Sequence, residues 1–211
     1  MAENLLQAAQ TRGLPVSIYR PGNIIGHSET GISQTSDFVA KMLQGCLEMS
    51  IAPDLPVKLN VVPVNQVSQA IVALSEANPP RGAAYHLVHP TPMPWSDLIT
   101  VLQKRGYAIQ LTSYEHWYAH LLKLTRRSPH GETHQNALLS LVSMLKNPTL
   151  VQLLLGSFSW QVHQTSQALA VLGLGEFPDC PQFLNTYLDY LTQIKFLPTP
   201  VPHGTTTKVC V

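Results

Sequence analysis

The chain has 211 residues, of which 45% are apolar and 12% charged, with a formal net charge of +1. That length allows one domain or one and a half, and the apolar share can fill a sizeable core. The near-neutral balance excludes recognition of nucleic acid or an anionic membrane by charge alone. So small a charged fraction, about half the usual quarter, points to surface that another body covers.

Taken in order, Ala2 to Arg12 reads as a helix with Leu5, Leu6 and Ala9 on one face and Gly13 as its stop. Val16 to Tyr19 reads as a buried strand between Pro15 and Pro21-Gly22, and its carboxyl end, Arg20 to Asn23, is the place where an α/β crossover carries its ligand site. Gly26 to Thr35 is a polar loop. Asp37 to Met49 is a helix, with Ser36 as cap and Asp37 favourable at the dipole. Ile51 to Pro56 reads as a turn, Leu59 to Val62 as a strand, and Val64 to Ala77 as a helix with the stripe Val67, Ile71 and Leu74. The Asn78 to Gly82 stretch breaks the chain. Tyr85 to Val88 is a further strand, Pro90 to Pro94 a turn, and Ser96 caps a helix to Lys104. Tyr107 to Leu111 is the last strand expected.

From Tyr114 the pattern is helical only: Tyr114 to Thr125, Thr133 to Lys146, Thr149 to Leu155, Gln164 to Leu172 and Pro181 to Gln193. The expected class is α/β, with an incomplete parallel sheet of Rossmann-like type followed by a mainly helical cap. The divisions expected are residues 1–112 for the sheet portion, 113–197 for the cap and 198–211 for a loose tail.

Motifs narrow the chemistry. Cys46, Cys180 and Cys210 form no CxxC pair, which fits a reduced, cytoplasmic compartment. No apolar run is long enough to span a bilayer. His116 with His120, and His130 with His134, have one-turn spacing, but neither has the HExxH glutamate, so no metal ligand is assigned. Thr30 occupies the place where a GxSxG elbow needs its last glycine. No GxGxxG or GxxGxxG occurs, so the usual pyrophosphate loop is absent from these residues.

Six segments in order resemble thioester reductase domains of the extended short-chain dehydrogenase/reductase superfamily, the terminal reductases of non-ribosomal peptide synthetases and carboxylic acid reductases. They are LPVSIYRPGNIIG, GISQTSDFVAKMLQGCLEMSIAP, LNVVPVNQVSQAIVALS, AAYHLVHPTPMPWSDLI, GYAIQLTSYEHWYAHL and YLDYLTQIKFLPTP. The resemblance implies NADPH-dependent reduction of a carrier-bound acyl thioester to aldehyde or alcohol. It also implies an acyl or peptidyl carrier protein with a phosphopantetheine arm as partner. The family's catalytic Tyr and Lys would fall upstream of Met1, so the expectation is the C-terminal part of such a reductase, without its Gly-rich loop and inactive alone. A binding module docking a carrier protein or an amino-terminal reductase half is the alternative.

The resemblance also assigns residues. Arg20, Pro21, Gly22, Asn23 and Ile24 would lie against the nicotinamide and ribose, where a proline without N–H and a glycine without side chain let a ring approach. Read without it, Pro21-Gly22 merely ends a strand. Ser33, Gln34, Thr35 and Phe38 would border the acyl-pantetheine channel. Asn65 stands where the family has Asp, a change that helix capping survives.

Overall fold

A computed structural model describes residues 2–77, 82–127, 136–156, 160–175, 177–178 and 180–200. The elements run α1 Ala2–Thr11, β1 Ile18–Pro21, β2 Asn23–Ile25, α2 Phe38–Met49, β3 Ile51–Pro53, β4 Lys58–Leu59, β5 Val61–Pro63 and α3 Val64–Glu76. They continue with β6 Ala84–Leu87, β7 Met93–Pro94, α4 Trp95–Lys104, β8 Gln110–Thr112 and α5 Tyr114–Arg127. After a 3-10 turn at Leu139–Leu141 come α6 Val142–Leu145, α7 Pro148–Leu155, α8 His163–Val171 and α9 Cys180–Gln193. The chain is α/β, and among the described residues no strand follows β8. No helix among them is long and apolar enough to cross a membrane.

The fold divides into two compact units, each drawn from three stretches. The first comprises residues 1–33, 60–92 and 158–187. Here β1 pairs in parallel with β6, Arg20 opposite His86, and β2 pairs in parallel with β5. Val67, Ala70 and Leu74 of α3 pack with Tyr85 and Leu87 of β6 and Leu169 of α8, so the expected helical stripe does face a core. By contrast, α1 buries none of its residues, and its Leu5 is 68% exposed. Among the described residues β6 is the one strand neighbour of β1.

The second unit comprises residues 34–59, 93–157 and 188–211. β3 pairs in parallel with β8, and β4 pairs antiparallel with β7. Trp95 is fully buried and its indole N–H donates to the Pro53 carbonyl at 2.8 Å, fixing the start of α4. Tyr107 and Thr192 share a hydroxyl bond of 3.0 Å, and Arg105 pairs with Asp189.

Several local expectations change. Ile51–Pro53 is a strand rather than a turn, because its proline stands at the strand's end. The expected Leu59 to Val62 strand is two, β4 and β5, split at Asn60 into separate pairs. The last strand is Gln110–Thr112, whereas Tyr107 and Ile109 are buried loop anchors. The cap of α2 is Asp37, whose Oδ1 accepts from Ala40 N at 2.8 Å, not Ser36. Burial pushes the Asp37 carboxyl above its usual range. Ser96 lies inside α4, and Pro94 holds the cap position with no side-chain bond. The helix expected from Thr133 to Lys146 is the 3-10 turn and the four residues of α6 over its described part. Most of the Asn78 to Gly82 break, the His130 and His134 pair and residues 201–211 lie outside the described residues.

Candidate functional site

Arg20 to Ile24 is not a loop at the end of a strand; it is two strands joined at one residue. Arg20 and Pro21 belong to β1, and Asn23 and Ile24 to β2. The Gly22 N–H donates to the Leu87 carbonyl at 3.0 Å, and the next N–H, of Asn23, donates to the Asn60 carbonyl at 2.9 Å. The chain therefore leaves the β6 ladder for the β5 ladder within one step. The β1–β6 ladder thus stops at its carboxyl end where the β2–β5 ladder starts at its amino end, and the crevice outside strand carboxyl ends is where open α/β sheets bind ligands.

Asn60 supports that crevice, and reading the sequence alone misses it. It is 2% exposed. Its Oδ1 accepts from His89 N and its Nδ2 donates to His89 O, both at 2.9 Å. A side-chain amide thus stands in for a strand neighbour where the backbone ladder has ended, leaving its polar groups satisfied. A Cβ at Gly22 would sit 2.7 Å from the Asn60 Oδ1. The glycine is required by Asn60, besides whatever approach it offers a ligand. The one signal in the sequence is a polar residue interrupting the apolar run Leu59 to Val62.

His89 is equally buried. Its Nδ1 lies 2.9 Å from the Thr91 carbonyl oxygen and 3.1 Å from the Thr91 nitrogen, and its Nε2 lies 3.1 Å from the Pro178 carbonyl oxygen. The imidazole links the chain after β6 to the segment before α9.

Arg20 is committed within the same unit. Its Nε and Nη2 donate to the two carboxylate oxygens of Glu3 at 2.9 and 2.6 Å. This forked pair holds the Glu3 carboxyl below its ordinary value and raises the guanidinium further. Nη1 donates to His86 Nε2 at 2.9 Å. What the segment presents outward is Pro21 and Ile24, both exposed, the latter at 41%.

The candidate substrate residues divide. Ser33 ends the first unit, and its hydroxyl oxygen is buried with no partner among the described residues. Gln34, Thr35 and Phe38 fall in the second unit: Gln34 Nε2 donates to Ser36 Oγ at 2.6 Å, and Phe38 begins α2. Residues 26–32 close on themselves, with His27 N donating to Ile32 O at 3.0 Å and Gly31 N to His27 O at 2.8 Å. Asn65 does not cap α3. Its Oδ1 accepts from Ser28 N and its Nδ2 donates to Ser28 Oγ, both at 3.0 Å, pinning that loop.

An NAD-binding family model described as "Male sterility protein" matches residues 1–71. The terminal R domain of the myxalamid PKS-NRPS pathway superposes with a TM-score of 0.77 at 31% identity, over 95% of this chain and 49% of that one. The chain is homologous to the terminal reductase domains of non-ribosomal peptide synthetases, whose fold is of the extended short-chain dehydrogenase/reductase type. The chain is also 29% identical to the L-2-aminoadipate reductase large subunit of Candida glabrata, over 96% of its own length and 15% of that protein's. A thiolation-reductase di-domain from an archaeal non-ribosomal peptide synthetase shares the fold, with a TM-score of 0.64 at 20% identity, over 92% of this chain and 39% of that one. The chain thus spans about half, or less, of the proteins it matches. Its family model ties the kinship to a nucleotide cofactor.

Proposed function

We propose that these residues are the substrate-binding part of an NADPH-dependent reductase of carrier-bound acyl thioesters, yielding aldehyde or alcohol. The similarity to the myxalamid terminal R domain, along nearly all of this chain but half of that domain, carries the reading. On this reading residues 1–112 contribute the sheet portion and 113–197 the cap. The acyl-pantetheine arm of a carrier protein runs past Ser33, Gln34, Thr35 and Phe38, in a cytoplasmic enzyme. The thiolation-reductase di-domain supports a carrier protein as partner.

The crevice suits the nicotinamide end of the cofactor. Pro21 and Ile24 give an exposed apolar face without a backbone N–H at Pro21, and Asn23 stands beside them. Arg20 fixes β1 through Glu3 and His86. When bound, the cofactor supplies the hydride. The orphan Ser33 hydroxyl is suited to donate to a pantetheine carbonyl.

The family's Tyr/Lys pair and Gly-rich loop are not among these residues, so the 211-residue chain alone is inactive. The uncovered leucines of α1 and the single strand neighbour of β1 among the described residues support a second body docking there, an amino-terminal reductase half. The test is NADPH oxidation on a carrier-bound acyl thioester. The expectation is no turnover by the chain alone and turnover once the nucleotide-binding half of a terminal reductase domain is added. Turnover by the chain alone overturns the inactivity; none with the added half, despite a stable complex, overturns the reductase reading.

A further inference from the structure

A cavity of about 220 Å³ opens in the first unit between the carboxyl end of β6 and α8. It is lined chiefly by Val88, Leu169, Leu174 and Phe177, with His86, Thr165 and Ser166 as polar members. Native interiors leave few voids larger than a water molecule, and an apolar cavity of roughly 150 Å³ suffices to take up benzene. This one is larger, and lies at the end of a parallel strand, where α/β folds place ligands.

Its polar fittings are specific. Thr165 is 3% exposed, and its Oγ1 accepts from His86 N at 3.0 Å. A hydroxyl also carries one proton to donate, and no bond from Thr165 is recorded among the described residues. His86 has no donor to spare. Arg20 only donates, so His86 Nε2 accepts, and Nδ1–H turns to the Gln161 carbonyl at 3.3 Å. The Trp160 ring stands 5.0 Å from the His86 ring. The cavity therefore offers apolar walls, one buried donor in Thr165 and the half-buried Ser166 hydroxyl, with no charge of its own among these lining groups.

We propose that this cavity is a binding site for a small neutral carbonyl compound: an aromatic or branched apolar group whose carbonyl oxygen accepts from the Thr165 hydroxyl. The site is distinct from Pro21 to Ile24 and stands whether or not the reductase reading holds. Because His86 bonds Arg20, an occupant touches the residue that anchors β1.

Acetophenone and ethylbenzene form the probe pair, alike in shape and differing in the carbonyl. The full 211-residue chain is titrated with each while its amide spectrum is recorded. Saturable shifts centred on His86, Thr165 and Leu169 are expected for acetophenone, with affinity weaker for ethylbenzene by roughly five- to tenfold, the worth of one hydrogen bond. Ala170, exposed on α8 and lining the cavity, becomes the plug: Ala170→Phe should abolish the shifts without changing the urea midpoint. Contacts from the acetophenone methyl to Leu169 and Leu174 methyls, seen by NOE in the unaltered chain, locate the ligand without any variant. Equal affinity for both probes, contacts elsewhere, or no saturable binding would each overturn the assignment.

Discussion

Arg20 and His86 are register partners across β1 and β6, and their side chains meet at 2.9 Å between Nη1 and Nε2. A guanidinium has no acceptor to give, so the imidazole must. The same guanidinium forks onto Glu3 of α1, so one cation ties a helix to two adjacent strands. The Glu3–Arg20 pair is solvent-accessible on both sides, and its effect is a matter of pH dependence more than of large stabilisation.

That dependence has a definite sign. The carboxyl of Glu3 titrates below its ordinary 4.5 when folded, chiefly through the Arg20 bond. Its contribution is present above the ordinary value and disappears as pH falls through the folded one. Urea midpoints measured from about pH 5 to about pH 3 should fall less steeply in Glu3→Gln than in the unaltered chain. An identical slope in both would show that the pair is not formed in solution.

Gly22→Ala should destabilise by about 1–3 kcal/mol, the usual cost of forcing atoms into filled space, since its Cβ would press on Asn60 Oδ1 at 2.7 Å. Asn60→Ala strips both bonds from His89 and should cost about 1–3 kcal/mol. A double-mutant cycle by urea unfolding should give less than the sum of the two. Strict additivity would mean that the two residues do not press on one another.

Gly45, in the middle of α2, sets two effects in opposition. Helix propensity alone makes Gly45→Ala stabilising by about 1 kcal/mol. The added Cβ, however, would lie 2.4 Å from the Leu138 Cγ and 2.8 Å from the Asn136 Oδ1. Asn136 cannot swing away without losing its 2.9 Å bond to the Gly45 carbonyl. Overpacking of this kind costs about 1–3 kcal/mol and wins, so the thermal midpoint should drop. A rise would show that helix propensity decides.

Asn65 makes two bonds to Ser28, one as acceptor and one as donor. Asn65→Asp keeps an acceptor for the Ser28 N–H and gains one for its hydroxyl, so the loop should hold. Asn65→Leu removes both bonds, at about 1–2 kcal/mol, and should speed limited proteolysis within residues 26–35. Equal cleavage rates in all three proteins would remove Asn65 from the account of that loop.

The helices were largely legible in the sequence because their apolar spacing coincides with burial: Val67 and Leu74 of α3 lie in a core. The strands were misplaced by a few residues, chiefly where prolines stand. Pro21 reads as a break, yet it ends β1. The N–H groups of Ile18 and Gly22 donate to the Ala83 and Leu87 carbonyls, so the bonds to this stretch fall on alternate residues and Pro21 lies between them. The carboxyl end of β1 stands out in the sequence as a candidate site through the motif, but its buttress, Asn60 with His89, does not. Those bonds join residues 29 positions apart, and no local pattern encodes them.

Each compact unit is assembled from three separated stretches of chain, and the last junction falls inside α9. No single protease cut, stop codon or fusion point can release either unit with all its parts. Dissecting this protein by truncation will yield remnants of both, and mapping a binding activity onto one unit calls for point substitutions instead.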